Sequence, residues 1–144
     1  MVLYYSYTGK VEKLAKAFGA ANNTAVIEVK SAGEIGKLEA YTIGCFKAKR
    51  GQSMPIAPVA FNLAEDKTVD VFAPIWASSI APPMIAALEQ LAKSAMETSN
   101  KSNTNDIKVK MHMVSFSGKS DRSRIAAKLE SLGLEMVGYE DLRG

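Results

Sequence analysis

The chain has 144 residues, 47% apolar and 23% charged, with a formal net charge of +3. That length builds one domain over 1–144 and buries about two thirds of its unfolded surface, and the composition excludes a disordered chain. No apolar run approaches the ~20 residues that cross a bilayer, and scattered lysines and arginines at this low net charge fall short of a nucleic-acid footprint.

Apolar runs of strand length alternate with helical patterns along the chain. VLYY (2–5) is apolar on both faces and reads as a covered strand, not as part of a signal peptide, since no basic region precedes it. Val11, Leu14, Ala15 and Phe18 follow at helical spacing, with Gly19 near the end. TAVIEV (24–29) is rich in β-branched residues and reads as a second strand. The spacing predicts a second helix from about Glu34 to Arg50, with Leu38, Tyr41 and Cys45 as its inward stripe and Gly36 and Gly44 interrupting it. Cys45 is the single cysteine, so no intrachain disulfide can form, which fits a cytoplasmic protein; on this stripe it reads as a small buried apolar group, with no metal-site partner.

GQSMPIAPVAFN (51–62) has two prolines and no period, and reads as a long surface connection. VDVFAPI (69–75) is the third strand. Pro82-Pro83 opens a helix with Ile85, Leu88, Leu91, Ala92 and Ala95 on its buried side. After the polar stretch SNKSNTND, IKVKMHMVSF (107–116) makes a fourth strand, Ile125, Leu129 and Leu132 mark a fourth helix, and LEMVGY (134–139) is a fifth strand.

Five strands alternating with four helices predict a parallel sheet with helical crossovers. The fourth strand alternates strictly, with Lys108, Lys110 and His112 on one side and Val109, Met111 and Met113 on the other. A central parallel strand is apolar on both faces, so one face is expected to lack a covering helix. The lone histidine is expected to be exposed there, away from the loops. Val137 and Tyr139 are expected to form an apolar patch beside the lysines, suited to a homodimer through this face or through the loop side.

In such a sheet, ligands bind beyond the carboxyl ends of the strands where strand order reverses. Three strand ends carry distinctive loops: SYTGKV after the first, PIWASSIAPP after the third and SFSGKS after the fourth. In the first, a strand runs directly into a helix, whose amino-terminal amides point outward with partial positive charge. Ser6, Tyr7 and Thr8 add hydroxyls and Gly9 lets the backbone approach an anion closely. A plain helix cap by Ser6 or Thr8 explains the same residues equally well. A nucleotide-binding P-loop is excluded, because Tyr4 and Met113 stand where that motif needs glycines.

These three loops resemble those of the flavodoxin-like family. Ser6-Tyr7-Thr8-Gly9-Lys10-Val11 is similar to the family's [ST]-x-T-G-x-[ST]. Pro74-Ile75-Trp76-Ala77-Ser78-Ser79 and the following IAPP are similar to its P-[IV]-W-x-G-S-x-x-P-P. Ser115-Phe116-Ser117-Gly118 is similar to its S-F-x-x-G variant. The resemblance implies an α/β, doubly wound, five-stranded parallel sheet of order 2-1-3-4-5, here without the family's final helix. It also implies FMN, with its phosphate at residues 6–11, its ring between the 74–79 and 115–118 loops, and Trp76 as an aromatic wall. The implied activity is electron transfer or a small flavin-dependent NAD(P)H or quinone reductase, with a redox protein or a small molecule as electron acceptor. Two positions depart from the family. Val11 replaces a phosphate-binding hydroxyl, which Lys10 compensates by charge or leaves uncompensated by pointing to solvent. Ser78 stands where glycine is common and resists a positive φ by roughly 1 kcal/mol. These departures and the absent helix also fit an interaction module that has lost the cofactor.

Overall fold

The computed structural model describes residues 1–61, 68–99, 107–116 and 119–144. In chain order the elements are β1 (Val2–Tyr4), α1 (Lys10–Asn22), β2 (Val26–Glu28), α2 (Lys37–Glu39), a π-helical turn (Ala40–Gly44), α3 (Cys45–Lys49), β3 (Thr68–Trp76), β4 (Ser79–Ile80), α4 (Pro82–Ser99), β5 (Lys108–Ser115), α5 (Arg122–Ser131) and β6 (Glu135–Arg143). The main sheet runs β2-β1-β3-β5-β6 with every pairing parallel. This is the expected 2-1-3-4-5 order, with β4 added as a two-residue antiparallel strand folded back on β3.

One face carries the larger core. Leu3, Val71, Ala73, Val109, Met111 and Met113 point into it and are covered by Met84, Ile85, Leu88 and Leu91 of α4 and by Ile125 and Leu129 of α5. On the other face Val2, Tyr4, Phe72 and Val114 pack against Val11 and Ala15, with Leu14 and Phe18 at the margin, so the helical members of this cluster all come from α1. Lys108 and Lys110 lie on the uncovered remainder of that face and are exposed.

His112 departs from expectation. It shares the lysine face but is 8% exposed. Its ring stacks on Phe72 with centroids 4.2 Å apart, and Phe18 of α1 leans over it at 5.3 Å. Nε2 lies 2.9 Å from Asp70 Oδ1 on β3, and Nδ1 contacts Glu140 on β6. The polar side chain is buried because its neighbours on both adjacent strands are carboxylates, so each ring nitrogen has a partner.

A bulge in β6 creates that arrangement. Val109 pairs with Met136, but the next residue, Lys110, pairs with Gly138, leaving Val137 as the extra residue. From there on the side-chain parity of β6 is inverted. Glu140 therefore falls opposite His112, and Tyr139 falls opposite Met111 and packs against the larger core. The expected Val137–Tyr139 patch is split between the two faces, with Val137 alone exposed on the lysine side.

Two further expectations need correction. The predicted strand 134–139 extends to Arg143. The 51–62 connection, of which 51–61 are described, does lie at the surface with Met54 alone buried, and backbone hydrogen bonds tie it down. Ala57 donates to Lys30 O, Ala32 to Pro55 O and Met54 to Pro82 O, and Ser31 bridges Ile56. The 34–50 helix is interrupted by the π turn, and its burial is inverted: Ala40, Gly44 and Ala48 face inward while Leu38 is exposed and Cys45 only half-buried. Small residues face the core here because the segment packs closely on Trp76. A methyl group at Gly44 would lie 2.8 Å from the indole.

Candidate functional site

The carboxyl ends of β1, β3 and β5 bring the three distinctive loops to one edge of the sheet. After β1, Ser6 and Tyr7 are half-buried, Thr8 and Lys10 exposed, and Val11 buried in the smaller core. Gly9 is the residue before α1. Its φ of 89° suits glycine, although a Cβ there would meet only open space, and no side chain caps the helix. The Ser6 hydroxyl instead accepts from the Gly9 amide at 3.0 Å, one residue before the helix. The amides of Lys10, Val11 and Glu12 form the first turn, where a helix has no acceptors of its own, and none is accepted by a described residue. Lys10 does not point to open solvent: its Nζ donates to Gly144 O at 3.1 Å.

The β3 loop is a tight hairpin. Trp76 pairs with Ser79, and the two residues between them, Ala77 and Ser78, both adopt left-handed conformations with φ of 51° and 63°. Two successive positive φ values are what the twist of a two-residue hairpin requires, and glycine or asparagine usually supplies them. Ser78 was expected to resist this conformation, yet the ladder with β4 imposes it, and the Asp121 amide ties Ser78 O from the start of α5 at 2.6 Å. Ser79 is buried, whereas Pro74, Ile75 and Trp76 are half-buried.

Trp76 is held on several sides. Tyr5 and Tyr7 meet it edge-on, at centroid distances of 6.1 and 5.7 Å, and Gly44 backs the indole. Tyr7 is itself fixed by its hydroxyl, which donates to Ile35 O at 3.0 Å. Burial raises the Tyr5 phenol above its ordinary value, with its hydrogen bond to Ser31 working against the shift. Sequence reasoning did not include Tyr5, Gly44 or Asp121 among the site residues. The isolated glycine inside a helical pattern was the available signal for Gly44, since such a glycine often marks a close approach.

After β5, Ser115 is half-buried and Phe116 stands 87% exposed; Ser117 and Gly118 lie outside the described residues. A cleft of ≈ 620 Å³ is lined by Phe116, Lys119, Arg143 and Gly144, and a depression of ≈ 390 Å³ runs from Ser78 across Lys119 to Arg122. Arg122 lies over the Tyr139 ring at 5.5 Å, and Ser120 bonds Asp141 at 2.5 Å. This end of the sheet therefore presents Lys119 and Arg143 beside the exposed Phe116 ring, with Arg122 and the Asp121 carboxylate in the neighbouring depression.

Among the described residues no group of three or more His, Cys, Asp or Glu side chains could hold a metal, and no helix is long and apolar enough to cross a membrane.

No protein-family model and no curated protein matches the sequence. Solved structures do match the fold. A flavoprotein in complex with FMN from Lactobacillus acidophilus NCFM superposes with a TM-score of 0.70 at 16% identity, over 99% of this chain and 90% of that one. Candidate flavoproteins from Bacteroides uniformis ATCC 8492 and Bacteroides eggerthii DSM 20697 give TM-scores of 0.69 and 0.67 at 21% and 20% identity. The alignments span 100% and 98% of this chain, and 89% and 85% of those chains. Together with the strand order, these matches establish that the chain has a flavodoxin-like fold.

Proposed function

We propose that the chain binds FMN at the carboxyl ends of β1, β3 and β5 and works as a flavin-dependent redox protein. The observation that carries this reading is the β1–α1 turn. It holds a left-handed Gly9, a run of first-turn amides without described acceptors and an exposed Thr8, all next to a braced indole. The residues fit a phosphate there. The amides of Lys10, Val11 and Glu12 would donate to it, helped by the helix dipole, and the Thr8 hydroxyl would add a further donor. Val11 contributes only its backbone, because its side chain is in the core. Lys10 adds charge only by leaving Gly144.

Trp76, Ala77, Ser78 and Ser79 on one side and Ser115 and Phe116 on the other would border the ring. When bound, the flavin supplies the one- or two-electron chemistry, and the chain's residues bind it, orient it and limit access to it. The redox partner in this reading is either another protein or a small molecule such as a reduced nicotinamide nucleotide. The cations at Lys119 and Arg143 favour an anionic one.

The test is the visible spectrum of the purified protein, followed by FMN titration monitored through the fluorescence of Trp76, the sole tryptophan. Binding with quenching supports the proposal. A colourless protein that takes up no FMN at micromolar concentration overturns it. Reduction by NADPH or NADH without a partner protein separates a reductase from an electron carrier. The second reading, a module that has lost the cofactor, is favoured by the engagement of the Gly9 amide by Ser6 and by the missing hydroxyl at Val11.

A further inference from the structure

The segment from α2 through α3 turns its large apolar side chains outward. Leu38, Ile43 and Phe46 are 77%, 51% and 53% exposed, while Ala40, Gly44 and Ala48 face the protein. The π turn aligns the outward residues. In an α-helix, side chains five apart diverge by about 140°, which would separate Leu38 from Ile43. Here Cys45 N–H reaches back to Ala40 O, the i→i+5 bond of a π turn, whose wider turn brings positions five apart much closer to one face than an α-helix does. Phe46 then follows Ile43 at the ordinary i+3 spacing. Thr42 Oγ1 donates to Leu38 O at 2.7 Å, engaging a carbonyl of the turn. A helix with its small side chains inward and its large ones in a continuous outward line has a face that a partner would bury.

The charges around the stripe select the partner. Exposed Glu34 and Glu39 lie with Lys37 toward its amino end, which is net negative, and half-buried Lys47 with exposed Lys49 and Arg50 toward its carboxyl end, which is positive. Arg50 already covers part of the Phe46 ring, at 4.4 Å from its centroid. Two copies of the segment packed antiparallel about a two-fold axis near Ile43 would bring Leu38 against the partner's Phe46 and Ile43 against the partner's Ile43. The acidic end of each copy would then face the basic end of the other. A parallel arrangement would oppose like charges instead. The pattern is self-complementary, as an isologous interface requires.

We infer that this stripe is the interface of a homodimer in which the segments 37–49 of two copies pack antiparallel. Gly44, on the opposite side of the same segment, backs Trp76, so dimerisation would place the candidate site of each protomer next to the interface without covering the loop ends.

Sedimentation velocity of the full chain at graded concentrations tests this. The expected result is a dimer at roughly 100 μM, with association weakened about tenfold or more by Ile43→Lys, the loss of a central buried contact. Glu39→Lys should also weaken it, and adding Lys47→Glu to that variant should restore association, because the charges are exchanged in sign but still opposed. Both single substitutions lie on exposed positions, and unchanged far-ultraviolet circular dichroism would confirm that the variants fold. A wild-type chain that stays monomeric, a dimer that Ile43→Lys leaves intact, or a charge exchange that fails to restore association overturns the inference.

Discussion

Replacing His112 by alanine should destabilise the fold by about 3–4 kcal/mol, because it removes the hydrogen-bond partner of a nearly buried carboxylate together with a stacked ring. The two carboxylates contribute unequally. The Asp70 side chain is only 13% exposed, whereas that of Glu140 is 50% exposed. Glu140 can therefore turn to water once the ring is gone, but Asp70 stays largely buried without its partner. The stacking of His112 on Phe72 contributes roughly 1 kcal/mol of the total. For a chain of this length the loss corresponds to a fall in Tm of about 10 °C.

Urea unfolding of a small set of variants separates the two parts. His112→Phe keeps the stacked ring but strands the Asp70 carboxylate, so it should recover only the smaller share. Adding Asp70→Asn to His112→Phe should recover a further 1–2 kcal/mol or so, since a neutral amide is less costly to leave under the ring than a carboxylate. If His112→Ala shifts stability by less than about 1 kcal/mol, or if His112→Phe alone matches the wild type, the ring is only packing and the reasoning fails.

Gly44→Ala sets a gain in helix propensity of about 1 kcal/mol against overpacking of about 1–3 kcal/mol. With the new methyl 2.8 Å from Trp76, the second should win, and an unchanged tryptophan emission spectrum would refute it. Ser78→Gly should stabilise the chain by about 1 kcal/mol by relieving the left-handed strain at φ 63°; a lower unfolding midpoint would contradict that account. Burial first, and then Asp141, push the Tyr139 phenol up to about 12. The folded chain therefore keeps a proton that the unfolded chain releases near pH 10. Stability should be flat with respect to this group below pH ~10 and fall as the pH rises toward ~12. The effect is reduced by solvent screening at this half-buried ring. Denaturation measured across this range should show a shallower decline for Tyr139→Phe, and identical declines would refute the assignment.

The strand order was implied by the resemblance of the strand-end loops to the flavodoxin-like family, whereas periodicity along the chain was enough to predict the alternation of strands and helices and the gathering of three polar loops at one edge. These features depend on local spacing: apolar runs bury on both faces, the 3.6-residue period of 11–18 places Val11 and Ala15 on the sheet, and Pro82-Pro83 starts a helix where its missing amide does no harm. The loops at Gly9 and Trp76 were legible for the same reason, since each lies where a strand ends.

His112, Tyr139 and the segment 37–49 were misread, and in each case the deciding partner is distant in sequence. Whether a strand histidine is exposed depends on what stands opposite it, and Asp70 and Glu140 reach it across two neighbouring strands. The one-residue bulge at Val137 reverses every later side chain of β6, and strict alternation cannot foresee an inserted residue. A helical stripe shows which residues share a face but not which face turns inward. Trp76, pressed against Gly44, made that choice, because only the side lined with alanine and glycine could approach it so closely.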